Sequence, residues 1–177
     1  GCVPSKALIK TATLARQIRH APDYGIASAH ASIDFAQVME RVAAVVRAVE
    51  PHDSVERYRA LGVDVVQGHA RLVSPWTVEI RKDDGSTQTL TTRSIVIATG
   101  AAPFVPPLPG LDEVGYLTSD TLWGLRELPQ RLLVLGGGPI GCELAQSFAR
   151  LGAQVTQIEM LPRLMTREDD EVSATAR

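Results

Sequence analysis

A glycine turn set between an apolar run and a helical pattern constrains this chain more than any other stretch. Arg131 to Glu159 reads RLLVLGGGPIGCELAQSFARLGAQVTQIE. Leu132 to Leu135 is bounded by glycine, too short for a helix and without a polar face, so a buried strand is expected there. Gly136, Gly138 and Gly141 follow with G-x-G-x-x-G spacing, and Gly137 fills the turn. In such a pattern the first glycine permits the tight turn and the second lets backbone approach a pyrophosphate. The third lets the next helix lie against the strand. From Pro139 onward, Ile140, Leu144, Ala145, Phe148 and Leu151 recur at helical spacing. Pro139 suits a first turn, where its missing N–H costs nothing. The helix then aims free N–H groups and its positive end at the turn, which makes an anion site. Gly152 ends the helix, Val155 to Ile158 form the next strand, and Glu159 closes it. A glycine motif alone is weak evidence. Strand, turn, helix, strand and terminal acid in this order are the context it requires, and they imply a dinucleotide site.

With 177 residues the chain has room for one ordinary domain or two small ones. A net charge of −2 gives no general reason to bind nucleic acid or an anionic membrane. No apolar run approaches the roughly 20 residues of a spanning helix, and no signal-peptide pattern precedes the first motif. A cytoplasmic location is therefore the expectation. Cys2 and Cys142 are too few for a disulfide scaffold. Cys142, inside the helical pattern, is expected to pack as a small apolar side chain. Gly1 is not an initiator methionine, and REDDEVSATAR at the other end reads as the acidic start of a further helix. We expect a piece of a longer protein.

The chain opens on GCVPSK and then a helical face of Ala7, Leu8, Ala12, Leu14, Ala15 and Ile18. Pro4 and Ser5 stand where a helix would begin. Cys2 would lie just ahead of its N-terminus and Lys6 one turn along, and both features favour the reactive thiolate. Cysteine statistics leave an inert, packed thiol equally open. After a loop from Ala21 to Ser32, Asp34 is a candidate N-cap, and Val38, Val42, Val45, Val46 and Val49 make one apolar stripe. Pro51 interrupts that helix, and a second piece runs to Leu61 and Gly62. His52 has no cysteine or second histidine at metal spacing, and no metal-binding set is expected. Gly62 to Val66 is expected to turn into a strand. Thr77 to Arg81 and Thr87 to Thr91, around Asp83-Asp84-Gly85, read as a β-hairpin. Ser94 to Gly100 reads as an apolar strand ending in Ala-Thr-Gly. The proline-rich run from Ala101 to Gly110 is a stiff connector suited to a domain crossing.

GCVPSK, Gly68-His69-Ala70, SIVIATG and the glycine turn, in that order, resemble the FAD-dependent pyridine nucleotide–disulfide oxidoreductases, the family of mercuric reductase, dihydrolipoyl dehydrogenase and glutathione reductase. The resemblance covers essentially the whole chain. It implies an α/β fold of two Rossmann-like dinucleotide-binding domains, both incomplete, with a β-hairpin in the first. Residues 1–108 would be FAD-binding and 109–177 NAD(P)-binding. It implies that Cys2 is the flavin-proximal member of a redox-active pair whose partner stands five residues earlier, outside this chain. Lys6 would sit at the flavin edge and pair with Glu143; a solvated helix residue is the alternative, and the place of Glu143 on the helix that begins at the glycine turn favours pairing. Gly68, His69 and Ala70 would pass the flavin cofactor's adenine, and Thr99 and Gly100 its domain junction. Gly136, Gly137, Gly138, Pro139, Ile140 and Gly141 would cradle the nicotinamide nucleotide.

The activity implied is transfer of electrons from NAD(P)H through FAD to the cysteine pair, and on to a small-molecule disulfide or a metal ion. The AAPFVPPLPGL connector resembles the mercuric reductase branch more than the dihydrolipoyl dehydrogenase branch. A dihydrolipoyl dehydrogenase, or an NADH oxidase or transhydrogenase of the same fold, is the alternative. Glu159 favours NADH, since a strand-end carboxylate binds ribose hydroxyls and repels the extra phosphate of NADPH; Arg163 could compensate. The complete protein is expected to be a homodimer without nucleic-acid or membrane partners. The 177 residues alone should be inactive and bind FAD poorly, and robust NADH turnover by them would contradict this.

Overall fold

Small and apolar side chains on one face of the first helix start the core, because they let a second helix approach closely. The computed structural model describes residues 2–176. In chain order its elements are helices α1 (Cys2–Arg19), α2 (Phe35–Val49) and α3 (Val55–Ala60), strands β1 (His69–Ser74), β2 (Thr77–Arg81) and β3 (Thr87–Thr91), helix α4 (Leu111–Val114), strand β4 (Arg131–Leu135), helix α5 (Pro139–Leu151), strand β5 (Gln154–Ile158) and helix α6 (Asp170–Ala176). Single 3₁₀ turns occupy Ala21–Tyr24, Glu50–Asp53 and Leu122–Gly124. The chain forms two units, Gly1–Ala48 with Pro103–Arg177, and Val49–Ala102.

In the first unit α1 packs on α5, and α2 closes the core. Ala7, Leu8, Ala12 and Ala15 are buried on α1, and Leu8 is fully enclosed. Leu14, placed on the apolar face by the sequence, lies at the flank of that stripe and is 54% exposed. On α2 the buried residues are Phe35, Val38, Met39 and Val42, while Val46 faces outward. The valine stripe therefore holds for Val38, Val42 and the partly buried Val45 but not for Val46, and Phe35 and Met39 add to the buried face. Phe35 meets Phe148 of α5 with ring centroids 5.9 Å apart in a tilted pair. Asp34 caps α2 as its residue type suggests, its Oδ1 accepting the Gln37 N–H at 3.1 Å. Arg41 donates to the Ala7 carbonyl at 3.0 Å and Arg19 to that of Arg150 at 2.6 Å, the latter at the negative end of α5.

Strands β4 and β5 run parallel, with Leu132 opposite Val155 and Leu135 opposite Ile158, and α5 crosses between them. This β-α-β unit has the predicted order, and its helix ends at Gly152 with φ +117°. The second unit is an antiparallel meander, β1-β2-β3. The β2–β3 hairpin is the predicted one, with Arg81 opposite Thr87 and Gly85 at φ +81° in the turn.

The strand β4 forms as expected but is not buried, Leu133 being 57% and Leu135 44% exposed, and two further strand expectations are not met. Residues 63–67 and 94–100 carry no regular secondary structure, and Val96 and Ile97 are 88% and 69% exposed. Their apolar composition suits a strand covered on both faces, but no strand among the described residues pairs with them. A strand without a ladder partner has nothing to hold it extended. The membrane expectation concerned helices, and no described helix is long and apolar enough to cross a bilayer.

Phe148 is 2% exposed at the junction of α1, α2 and α5. Phe148→Ala should cost about 3–5 kcal/mol, and Leu14→Ala should stay within about 0.5 kcal/mol. Chemical denaturation of both variants checks the difference.

Candidate functional site

The glycine turn is held by steric necessity. Gly136 has φ +110°, a region that strains any residue with a Cβ. A Cβ on Gly141 would run into the Gly136 carbonyl, so the helix lies on the strand only because that atom is missing. A Cβ on Gly137 would meet Leu164 Cδ2 at 2.7 Å and Glu159 Oε2 at 2.8 Å. Gly138 is the N-cap of α5, Pro139 occupies the first turn, and no side chain caps it. The first intrahelical bond is Cys142 N–H to Gly138 O at 3.0 Å. The N–H groups of Ile140 and Gly141 precede that bond, so they face the exposed turn as donors.

Glu159 stands at the end of β5, half-buried. Its Oε2 accepts the Gly137 N–H at 2.6 Å and its Oε1 the Leu161 N–H at 2.8 Å. These backbone amides, Leu161 first, hold its carboxyl below the ordinary value of 4.5. Because folding lowers this value, the carboxylate contributes stability above pH ~4.5, which is lost as the pH falls through the folded value. Gln157 Nε2 donates to the Gly136 carbonyl at 2.9 Å, and the Cys142 thiol to that of Gly137 at 3.4 Å. Cys142 is thus a half-buried hydrogen-bonding thiol as well as a packing group. Arg163 donates to Asp170 and to the carbonyls of Thr166 and Glu168, so its guanidinium serves the loop after β5.

The packing of α1 on α5 assembles a second set of groups. Lys6 Nζ donates to both carboxylate oxygens of Glu143, at 2.7 and 2.8 Å. The sequence offered pairing or solvation for Glu143, and the pairing is what occurs. Lys6 is not buried, however. The two side chains are 59% and 38% exposed, so the pair contributes at most about 1 kcal/mol to stability. Its effect is to fix the ammonium in place. Cys2 is exposed and is the first residue of α1, inside the helix rather than ahead of it. Its carbonyl accepts the Ser5 hydroxyl at 3.1 Å.

In the other unit, Gly68 has φ +154°, and a Cβ there would strike the Arg81 carbonyl at 2.6 Å. Approach of β2 by itself requires this glycine. His69 and Ala70 open β1, and Thr99 and Gly100 lie in the exposed segment without regular structure, Gly100 at φ +71°. Among the described residues no three His, Cys, Asp or Glu gather as a metal site.

Sequence reasoning missed Gln157, Leu161, Leu164 and Met165, which brace the turn. Met165 N–H donates to the Gly137 carbonyl at 2.8 Å and has φ +52°. The only available signal was proximity to Glu159. The residues present fit a dinucleotide: a cradle that Cβ atoms would fill, open helix N–H groups, and a strand-end carboxylate.

The family model of the pyridine nucleotide-disulphide oxidoreductases matches residues 1–177. A mercuric reductase of Streptomyces lividans is 38% identical over 98% of this chain and 37% of its own length. A dihydrolipoyl dehydrogenase of Chlorobaculum parvum is 35% identical with the same two coverages. Among solved structures, LpdA of Mycobacterium tuberculosis superposes with a TM-score of 0.76 at 28% identity, over 99% of this chain and 38% of that one. The Cu(II) complex of the HOCl-induced flavoprotein disulfide reductase RclA of Escherichia coli gives 0.72 at 28%, over 99% and 36%. The chain thus spans somewhat more than a third of the length of these relatives. With the family model over its whole length and relatives 35–38% identical over 98% of it, this chain belongs to the pyridine nucleotide-disulphide oxidoreductases.

Proposed function

We propose that the complete protein is a flavoprotein that passes electrons from NADH to Cys2 and its partner thiol, and from there to a disulfide or metal-ion acceptor, as in a mercuric reductase. The observation that carries this reading is the two-pronged Lys6–Glu143 bond. It ties the helix that begins at Cys2 to the helix that begins at the nucleotide turn. FAD, when bound, supplies a two-electron carrier between a nicotinamide and a disulfide.

The chain's own residues would do the following. Gly136 to Gly141 admit the pyrophosphate and direct the Ile140 and Gly141 N–H groups at it. Glu159 accepts the ribose hydroxyls and repels a 2′-phosphate, which favours NADH. Lys6 spends two of its three N–H donors on Glu143 and keeps its charge beside the flavin edge. Cys2 is the flavin-proximal thiol. Gly68, His69, Ala70, Thr99 and Gly100 belong to the FAD segment, each supplying backbone or a small side chain for close approach. The exposed run 95–100 suits a strand of a parallel sheet completed by other segments of the protein. On this reading residues 1–108 are FAD-binding and 109–177 NAD(P)-binding, and the complete enzyme is a cytoplasmic homodimer. A dihydrolipoyl dehydrogenase is the second reading, favoured by the dihydrolipoyl dehydrogenases among the relatives.

Cys2→Ser in the complete protein should abolish reduction of a disulfide or mercuric acceptor while leaving NADH–ferricyanide activity within about threefold. Equal loss of both activities argues for a flavoprotein without sulfur chemistry. Glu143→Gln should shift stability by less than about 1 kcal/mol, since the pair is exposed. Its turnover with NADH should fall about tenfold, the scale of one lost charge-assisted contact. Melting curves and steady-state rates on one preparation separate the two effects.

A further inference from the structure

Cofactor choice in this fold is usually assigned to the strand-end acid acting on the ribose alone. Here that acid is built into the turn. Gly137 is buried and engaged on three sides. Its N–H donates to Glu159 at 2.6 Å. Its carbonyl accepts from the Met165 N–H at 2.8 Å and the Cys142 thiol at 3.4 Å. Its Cα faces Leu164 and Glu159 so closely that no side chain fits. The second carboxylate oxygen of Glu159 holds the Leu161 N–H at 2.8 Å, which fixes the exit from β5. One carboxylate therefore ties the peptide of the glycine turn to the segment that carries Leu164 and Met165. Gln157 grips the neighbouring carbonyl of Gly136 at 2.9 Å.

We propose that Glu159 is a positioning residue for the glycine turn as well as a ribose acceptor, so that cofactor affinity and cofactor choice cannot be separated at this position. The proposal rests on the nucleotide reading of the turn. Without the carboxylate, the Gly137 N–H loses its acceptor and the contact opposite Leu164 loosens. The turn then presents the Ile140 and Gly141 N–H groups less well to either cofactor. Arg163 offers no substitute for a 2′-phosphate in this arrangement, because Asp170 and the carbonyls of Thr166 and Glu168 already engage it. If the acid acted on the ribose alone, its removal would delete a repulsive charge, and NADPH would bind more tightly. If it also positions the turn, its removal weakens NADPH binding together with NADH binding.

The test uses the complete, FAD-loaded protein and its Glu159→Ala and Glu159→Gln variants. NADH and NADPH affinities are read from quenching of their fluorescence on protein whose flavin has been reduced beforehand without oxygen, so that binding occurs without electron transfer, with FAD content and melting temperature recorded beside them. Glu159→Ala should lose about tenfold toward NADH, the scale of one charge-assisted hydrogen bond, and less toward NADPH, for which the lost repulsion offsets part of the effect, with FAD content unchanged. Glu159→Gln keeps an acceptor for the Gly137 N–H but carries no charge, so it should bind NADPH several-fold more tightly than Glu159→Ala does. NADPH binding that stays level or tightens in Glu159→Ala overturns the positioning role and leaves the nucleotide reading intact, as does equal NADPH binding by the two variants. Failure of the unaltered protein to bind either cofactor overturns the nucleotide reading itself, and the proposal with it.

Discussion

The rest of this structure depends on how closely α1 lies on α5. Leu8, Ala12 and Ala15 present a flat apolar face, and Phe148 and Leu151 fill it, with Phe35 of α2 closing the side. Burying each of the leucines and phenylalanines here contributes roughly 1.5–3 kcal/mol relative to exposure, more than an exposed ion pair does. That packing decides where the polar groups go. Lys6, one turn into α1, comes within 2.7 Å of Glu143, one turn into α5. The apolar contact sets the geometry and the charges take advantage of it.

The same helix, α5, serves a second interface at its other face. Its start is pressed onto the glycine turn because Gly141 has no Cβ, and its polar N–H groups point into that turn as a result. A single 13-residue helix thus joins the thiol-bearing helix to the glycine turn. Unusual backbone and charge sit at the turn and the segment that braces it rather than in the core: Gly136 at positive φ, Met165 at φ +52°, and a half-buried carboxylate on two backbone amides.

What the sequence made legible was local. The β-α-β unit could be read to within a residue at its ends, because glycine, proline and apolar period all agree there. The Asp34 cap and the β2–β3 hairpin were equally readable from residue type and spacing. The run SIVIATG was not. An apolar segment specifies that something should cover it, while the partner strand is a property of the rest of the fold. Phe35 and Met39 escaped notice because the valines around them already formed a stripe. The fully enclosed Met39 is nonetheless part of the core. The bracing of Gly137 by Gln157, Leu164 and Met165 depends on how the chain returns after β5, which no spacing rule reveals. Lys6 and Glu143 stand far apart in sequence, and their meeting was foreseeable only through the family resemblance.

The central claim is that this chain is part of an enzyme in which flavin accepts electrons from a nicotinamide held at the turn of Gly136 to Gly141. Its most direct test is the visible spectrum of the complete protein during anaerobic addition of NADH. A yellow protein whose flavin absorbance bleaches within seconds is the predicted result. A preparation that stays colourless after reconstitution with FAD, or a yellow one that NADH fails to bleach, would contradict the account.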